Sequence, residues 1–130
     1  MTSADFILET VEKFYAKATT DFLIGYHFRH ITDFDTHIPR IATFWDIQLL
    51  GAPTRSLNEP FEVINKHMPL MIKPGEVGRW VVLFKEVLDQ QKKTHPDFED
   101  LIEKWFLKLE FFKLKTVCMK NKIKLFIYTV

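Results

Sequence analysis

Cysteine is nearly absent from this sequence: Cys118 is the only one in 130 residues. A single cysteine cannot form a disulfide within the chain, which excludes the disulfide framework of a small secreted domain. The N-terminus carries Asp5 where a secretory signal peptide would carry basic residues. We therefore predict a reducing, cytoplasmic environment.

Long apolar runs and an excess of charge of one sign are also missing. No run of about 18 apolar residues occurs, so we expect no helix that spans a membrane. The net charge is +1, so no strong overall field attracts nucleic acid. We predict a monomer without a nucleic-acid partner.

Apolar and aromatic residues are plentiful. Hydrophobic residues make up 47% and charged residues 27% of the chain, which is enough apolar surface for a packed core. The length predicts one domain over residues 1–130. Phenylalanine occurs 13 times. This composition suits either a bulky core or a site that surrounds a flat aromatic ligand, and it does not choose between them.

Helical periodicity runs through most of the chain, and strand-like alternation is absent before the last nine residues. The pattern predicts an all-α fold. We expect helices over residues 4–20, 36–50, 60–68, 77–93 and 98–112. The expected boundary signals are Thr2 or Ser3 as the first N-cap, Thr36 as the second with Pro39 in the first turn, a stop at Gly51, a turn at Lys73-Pro74-Gly75, and a capping-box-like pair of Thr94 and Asp97.

The C-terminal segment differs from the rest of the chain. After Glu110 it contains no acid but five lysines, at positions 113, 115, 120, 122 and 124. Residues 122–130 are rich in β-prone types. A frayed tail, an added strand and an altered terminus all agree with this pattern.

His67 is the main candidate for metal binding. It lies on the inner side of the predicted short helix that Pro69 ends. An imidazole with an ordinary pKa of about 6.5 is mostly neutral at pH 7 and is able to coordinate a haem iron. A lone histidine in a helix is more often a core or surface residue with a hydrogen bond.

Three other side chains are candidates for contact with an iron-bound gas. Tyr15 offers a hydroxyl on the first helix, and Trp80 offers an indole N–H on the long helix. His37 is either a second distal group, a gate for the ligand, or a solvent-exposed first-turn residue. Taken alone, Tyr15 and Trp80 are also ordinary interface and core residues.

A haem pocket also needs apolar walls and cations for the propionates. Arg40 is the first candidate for a propionate contact, and Lys66 and Arg79 are weaker ones; each also reads as an ordinary solvated charge. The pocket candidates, which are equally plausible as core, are Phe14, Phe28, Ile41, Phe44, Trp45, Ile64 and Phe84. His27 and His30 form a weak metal pair without a third ligand.

The chain resembles the truncated haemoglobins, and most closely their group III. The motifs that carry the resemblance are Phe14-Tyr15, His37-x-x-x-Ile41-x-x-Phe44-Trp45, Leu49-Leu50-Gly51, Lys66-His67 before Pro69-Leu70, and Arg79-Trp80-x-x-Leu83-Phe84. They occur in the family's order over residues 4–110, and residues 111–130 depart from it.

The resemblance implies a two-over-two helical sandwich that holds haem b. By position, His67 matches the proximal iron ligand, Tyr15 and Trp80 match the distal hydrogen-bonding pair, and His37 matches the distal histidine. Ile41 and Phe44 match pocket-lining positions, and Arg40 matches one that faces a propionate.

The leading functional hypothesis is reversible binding of O2, CO and NO at haem iron, without enzymatic turnover. The alternative is NO dioxygenation or peroxide chemistry, which needs an external reductase because the chain offers no reductase domain. A third hypothesis is a haem-free helical interaction module that binds anionic partners through its lysine-rich end.

Overall fold

The computed structural model describes residues 1–29, 31–56, 70–72, 74–118 and 123–125. Within these ranges the chain is helical apart from two strands of three residues each, in agreement with the all-α prediction. The elements are α1 (Ser3–Ala18), α2 (Phe34–Leu50), β1 (Leu70–Ile72), α3 (Pro74–Thr94), α4 (Glu99–Cys118) and β2 (Ile123–Leu125), with 3-10 turns at Gly25–Phe28 and Pro96–Phe98. The helix predicted over residues 60–68 lies outside the described residues.

Helix α1 begins with a complete capping box. The Thr2 hydroxyl accepts a hydrogen bond from the Asp5 backbone N–H at 3.1 Å, and the Asp5 carboxylate accepts one from the Thr2 N–H at 3.1 Å. These bonds satisfy donors that have no partner inside the helix. Of the two predicted caps, Thr2 is therefore the one used.

Helix α2 begins earlier than predicted. Its N-cap is Asp33, whose carboxylate accepts from the Thr36 backbone N–H at 3.2 Å and from the Thr36 hydroxyl at 2.6 Å. The prediction of Thr36 as the cap is wrong, because Asp33 already occupies that role three residues before. Pro39 consequently lies inside the helix and not in its first turn. The predicted stop is confirmed, since Gly51 caps α2 with φ at 86°.

The boundaries of α3 also differ from the prediction. Pro74 and Gly75 belong to the helix and not to a turn, because proline suits a first helical position that needs no N–H donor. Thr94 forms no capping box: its hydroxyl donates back to the carbonyls of Gln90 and Gln91. This back-bonding uses the hydroxyl at the end of α3, so it does not cap the next turn.

The two strands pair antiparallel, with Leu70 opposite Leu125 and Ile72 opposite Ile123. The sequence allowed three alternatives for the C-terminal segment. Residues 123–125 adopt one of them, an added strand. The last helix continues to Cys118, past the predicted end near residue 112.

The core lies where α1, α2, α3 and α4 meet. Helix α1 packs on α2 and α3, and α4 packs on α2 and α3. The largest fully buried side chains are Trp45, Trp80, Trp105, Phe6, Phe14 and Phe84. In the part of the chain that the structure describes, no helix is long and apolar enough to cross a membrane.

Candidate functional site

Tyr15 and His37 form a buried polar pair between α1 and α2. The Tyr15 hydroxyl lies 3.0 Å from Nε2 of His37, and the two residues are 3% and 1% exposed. His37 is not the solvent-exposed first-turn residue that the sequence left open. His37 lies on the buried side of α2, against Tyr15 of α1.

Aromatic rings hold Tyr15 in place. The rings of Phe28 and His37 each contact it edge-on with centroids 5.3 Å away, and Phe34 lies at 6.0 Å. Burial raises the pKa of the Tyr15 hydroxyl well above its ordinary value, because the apolar surroundings disfavour a phenolate. Tyr15 is therefore a protonated hydrogen-bond donor at physiological pH.

The tautomer of His37 decides what the Tyr15 proton does. With hydrogen on Nε2, His37 donates to the Tyr15 oxygen, and the phenolic hydrogen is directed elsewhere. With hydrogen on Nδ1, Tyr15 donates its hydroxyl hydrogen to Nε2 of His37, so this hydrogen is not directed at a ligand. The first arrangement presents a hydroxyl donor to a ligand in the pocket.

Trp80 lies in the same aromatic cluster as Tyr15. Its side chain is fully buried. Phe14 contacts both residues edge-on, with ring centroids 5.5 Å from Tyr15 and 6.0 Å from Trp80. The structure thus brings the predicted distal residues of α1, α2 and α3 into one cluster of rings.

The predicted wall residues are core residues in this structure. Phe28, Ile41, Phe44, Trp45 and Phe84 are each at most 6% exposed and belong to one hydrophobic cluster. Both readings of these residues, ordinary core and pocket wall, agree with this burial.

The two cation candidates in the described residues, Arg79 and Arg40, differ in whether they already have an acidic partner. The Arg79 guanidinium donates to one carboxylate oxygen of Asp21 from Nε at 3.0 Å and from NH2 at 2.7 Å, and it lies over the Phe22 ring. Its assignment as a propionate ligand is weakened, because Asp21 already occupies it. Arg40 is half-buried on α2 and forms no ion pair within the described ranges, so it remains the better candidate.

The proximal side lies outside the described residues. This concerns the predicted iron ligand and its neighbours, His67, Lys66 and Ile64, and also His30. His27, the other half of the weak metal pair, instead lies 3.1 Å from the Glu76 carboxylate. Over the described ranges, no group of three His, Cys, Asp or Glu side chains is placed to hold a bare metal ion.

Two polar clusters escaped the sequence analysis. The Asp46 carboxylate is fully buried and accepts from the Thr54 hydroxyl at 2.7 Å and from Arg55 at 2.6 Å, while Arg55 also donates to the Ala4 carbonyl. Asp46 between Trp45 and Ile47 on an apolar helix was the available signal. In the second cluster, Glu76 accepts from Tyr26 and faces His27.

Two adjoining clefts open between α1 and α2. One, of about 240 Å³, is lined by Glu12, Tyr15, Ala16, Thr19, Phe34 and Ile38. The other, of about 220 Å³, shares three of these residues. Both are smaller than the range of about 300–1,000 Å³ that is usual for organic ligands. Their size suits passage of a small molecule toward Tyr15 and not the seating of a macrocycle.

The chemistry of the distal candidates agrees with that of a gas-binding haem pocket, whereas the two clefts beside them are too small for the macrocycle. A protonated phenol and an imidazole lie side by side, and their surroundings are aromatic. This donor set matches what a gas-binding haem needs on its open side, namely donors in an apolar pocket.

No family model matches this sequence, and no curated protein or solved structure matches it either. The chemistry of the site therefore depends on the geometry described above and on the ordered motifs of the sequence.

Proposed function

We propose that this protein binds haem b through His67 and reversibly binds O2, CO and NO at the iron. The observation that carries the proposal is the buried hydrogen bond of 3.0 Å between Tyr15 and His37. Burial of two polar side chains in an aromatic cluster is costly unless they are hydrogen-bonded. Their mutual hydrogen bond offsets this cost and holds both polar groups beside the proposed position of the ligand.

Bound ferrous haem supplies the open coordination position at which a diatomic gas binds. Tyr15 keeps its proton because burial raises its pKa, and it would donate a hydrogen bond to a gas held in the pocket. His37 orients the hydroxyl by donating from Nε2 to the phenol oxygen. Trp80 would be a second donor from α3, and Arg40 would hold a propionate.

These donors are expected to slow ligand release. One net hydrogen bond is worth about 0.5–1.5 kcal/mol, and about 1.4 kcal/mol corresponds to tenfold in an equilibrium constant. We therefore expect a slow O2 off-rate, which suits a protein that holds its ligand more than one that exchanges it rapidly.

Visible absorption spectra test the proposal. The purified protein, with hemin added, is recorded oxidised, reduced, and reduced with CO, beside His67→Ala. The expected result is a Soret band that shifts with CO in the wild type and is lost or altered in the variant. His95→Ala is the matched control, because His95 is a half-buried histidine that faces Glu9 on the surface. Failure to take up hemin would overturn the proposal.

NO dioxygenation or peroxide chemistry is the alternative function. The adjacent donors Tyr15 and His37 favour it, because polar distal groups help to polarise an O–O bond. The chain would then depend on an external reductase. Sustained NO consumption with a supplied reductant supports this alternative, and a single turnover contradicts it.

A further inference from the structure

Helix α4 carries a second apolar surface on the side opposite to the core. Its inner face packs on α2 and α3 and contributes Trp105 and Leu109 to the core. Three large apolar side chains point outward instead, with exposed fractions of 73% for Leu107, 58% for Phe111 and 65% for Leu114. Their spacing along the helix places them on successive turns of one face. They form a contiguous surface, which we call the outer stripe.

Such a stripe is unusual for the exposed face of a helix. The exposed positions of α1, for comparison, are charged or small: Asp5, Glu12, Lys13, Ala16 and Lys17. Single exposed apolar residues are ordinary, whereas a contiguous set of them marks an interaction surface. The outer stripe therefore indicates a face of the protein that meets a partner.

Lysines border the outer stripe on both sides. At about 100° per residue, Lys108 lies to one side of Leu107, and Lys113 lies to the other side of Leu114. Residues 111–130 contain five lysines and no acid. Because the formal charge of the whole chain is +1, residues 1–110 carry −4 and residues 111–130 carry +5. The small net charge therefore conceals a strongly basic end.

The acids of α4 do not cancel this positive charge. Glu110 is the only acid in residues 107–114, and it pairs with Lys85 of α3. Glu103, one turn before the stripe, faces Lys92 of α3 at 3.5 Å. Since lysines of α3 neutralise these two carboxylates, the surroundings of the outer stripe are cationic.

We propose that α4 docks on an anionic lipid surface, with its axis parallel to the membrane plane and the outer stripe among the acyl chains. Lysine stems run along apolar surface and place their ammonium groups among the lipid headgroups. A basic amphipathic helix with leucine and phenylalanine on its apolar face binds membrane surfaces in this way. A cluster of lysines beside such a helix selects anionic lipids. The proposal does not depend on haem.

Other occupants fit the outer stripe less well. A stable dimer buries about 800 Å² on each partner, and three side chains that are already partly covered offer much less. A nucleic acid binds lysines through its phosphates but gains nothing from the apolar side chains between them. A lipid surface uses both features at once.

Co-sedimentation with vesicles tests the proposal. The full-length chain, with and without hemin, is mixed with vesicles of phosphatidylcholine alone or of phosphatidylcholine with phosphatidylserine. We expect binding only to the vesicles that contain phosphatidylserine, and we expect it to weaken as NaCl is added, because salt screens the lysines. An absence of binding to these vesicles, or equal binding to neutral ones, would overturn the proposal, whereas failure to bind hemin affects the haem function alone.

The triple variant Leu107→Ser/Phe111→Ser/Leu114→Ser removes the outer stripe. We expect its binding to anionic vesicles to fall about tenfold or more, because the apolar part of the anchor is lost. Its urea unfolding should match that of the wild type, since all three side chains are exposed. The control is Phe22→Ser, because Phe22 is 90% exposed, lies outside α4 and has Arg79 over its ring. Unchanged vesicle binding by the triple variant would contradict the proposal.

The double variant Lys108→Gln/Lys113→Gln removes the bordering charges. We expect binding to anionic vesicles to fall about fivefold for each lysine. Arg29→Gln/Lys93→Gln is the matched control, because it causes the same change in net charge at two exposed positions outside α4. Equal losses in the two double variants would show that net charge and not α4 attracts the protein, and would overturn the proposed orientation.

Quenching by brominated lipid locates the face that enters the membrane. The three native tryptophans are fully buried, so they are shielded from the quencher. We expect quenching of the new indole in Phe111→Trp but not in Ala16→Trp, which places an indole on the exposed face of α1. The reverse pattern would overturn the orientation.

Sedimentation velocity without lipid tests the second copy as the occupant. A dimer that the triple serine variant abolishes would assign the outer stripe to self-association and overturn the proposal. Binding to an oligonucleotide in preference to anionic vesicles would assign the lysines to nucleic acid and would overturn it as well. We expect a monomer that prefers the vesicles.

Discussion

The Tyr15 hydroxyl lies 3.0 Å from Nε2 of His37, although 22 residues separate the two in the chain. The bond connects α1 to α2 inside the aromatic core, where water does not compete for either partner. Hydrogen bonds in such surroundings are stronger, and their loss is more costly, than at the surface.

Tyr15→Phe is expected to increase the O2 off-rate of the haem-loaded protein about three- to tenfold, because one net hydrogen bond of roughly 0.5–1.5 kcal/mol to the bound ligand is lost. Displacement of O2 by CO in a stopped-flow instrument measures the rate. Tyr26→Phe is the control, since Tyr26 is 44% exposed and donates to Glu76, away from Tyr15. An unchanged rate would show that Tyr15 does not contact the gas.

The Tyr15–His37 pair is also expected to contribute to stability. His37→Leu removes this hydrogen bond of the buried hydroxyl, which costs about 1–3 kcal/mol. Urea unfolding of the wild type, Tyr15→Phe, His37→Leu and the double variant yields the coupling energy. We expect about 0.5–1.5 kcal/mol, and a value near zero would contradict the bond.

Arg55→Met is expected to destabilise the protein by about 3–5 kcal/mol, because it leaves the fully buried Asp46 carboxylate without its cation. Urea unfolding measures the change. The matched control is Lys17→Met, which removes an exposed ion pair with Glu86 and is expected to cost less than about 1 kcal/mol. Equal effects of the two variants would show that burial of Asp46 has no energetic consequence.

The Arg79–Asp21 pair predicts a particular dependence of stability on pH. The guanidinium holds the pKa of the Asp21 carboxyl below its ordinary value, so the folded protein binds fewer protons there than the unfolded chain does. The pair therefore stabilises the fold at pH values above the ordinary carboxyl pKa. This contribution is lost as the pH falls through the lowered pKa of Asp21 in the folded protein.

Arg79→Met is expected to move the midpoint of acid unfolding to higher pH. Circular dichroism of both proteins from neutral pH downward measures the shift. The difference in stability between them is expected to be constant near neutral pH and to vanish at low pH. A difference that persists after all carboxylates are protonated would assign the effect to packing of the Arg79 guanidinium over the Phe22 ring.

Local signals predicted the helices well and their boundaries less well. The capping box at Thr2 and the stop at Gly51 involve neighbours in sequence, so both were predictable. The start of α2 was placed at Thr36, although Asp33 caps it. Asp is preferred to Thr as an N-cap, so the local preference itself favoured Asp33.

The partners of the charged residues were beyond the sequence. Arg79 pairs with Asp21, which lies 58 residues earlier in the chain. Asp46 reaches its cation only because the chain turns back after Gly51. Long-range pairing depends on how helices pack, and packing is set by all their side chains together.

The sequence by itself determined the helical class and the apolar faces of the helices. These properties follow from periodicity and residue type, which are local. Only the tertiary structure decided that Tyr15 bonds to His37, that Arg79 is held by Asp21, and that Trp45, Trp80 and Trp105 form one row. Each of these relationships joins different helices, and their positions are defined only when the core closes.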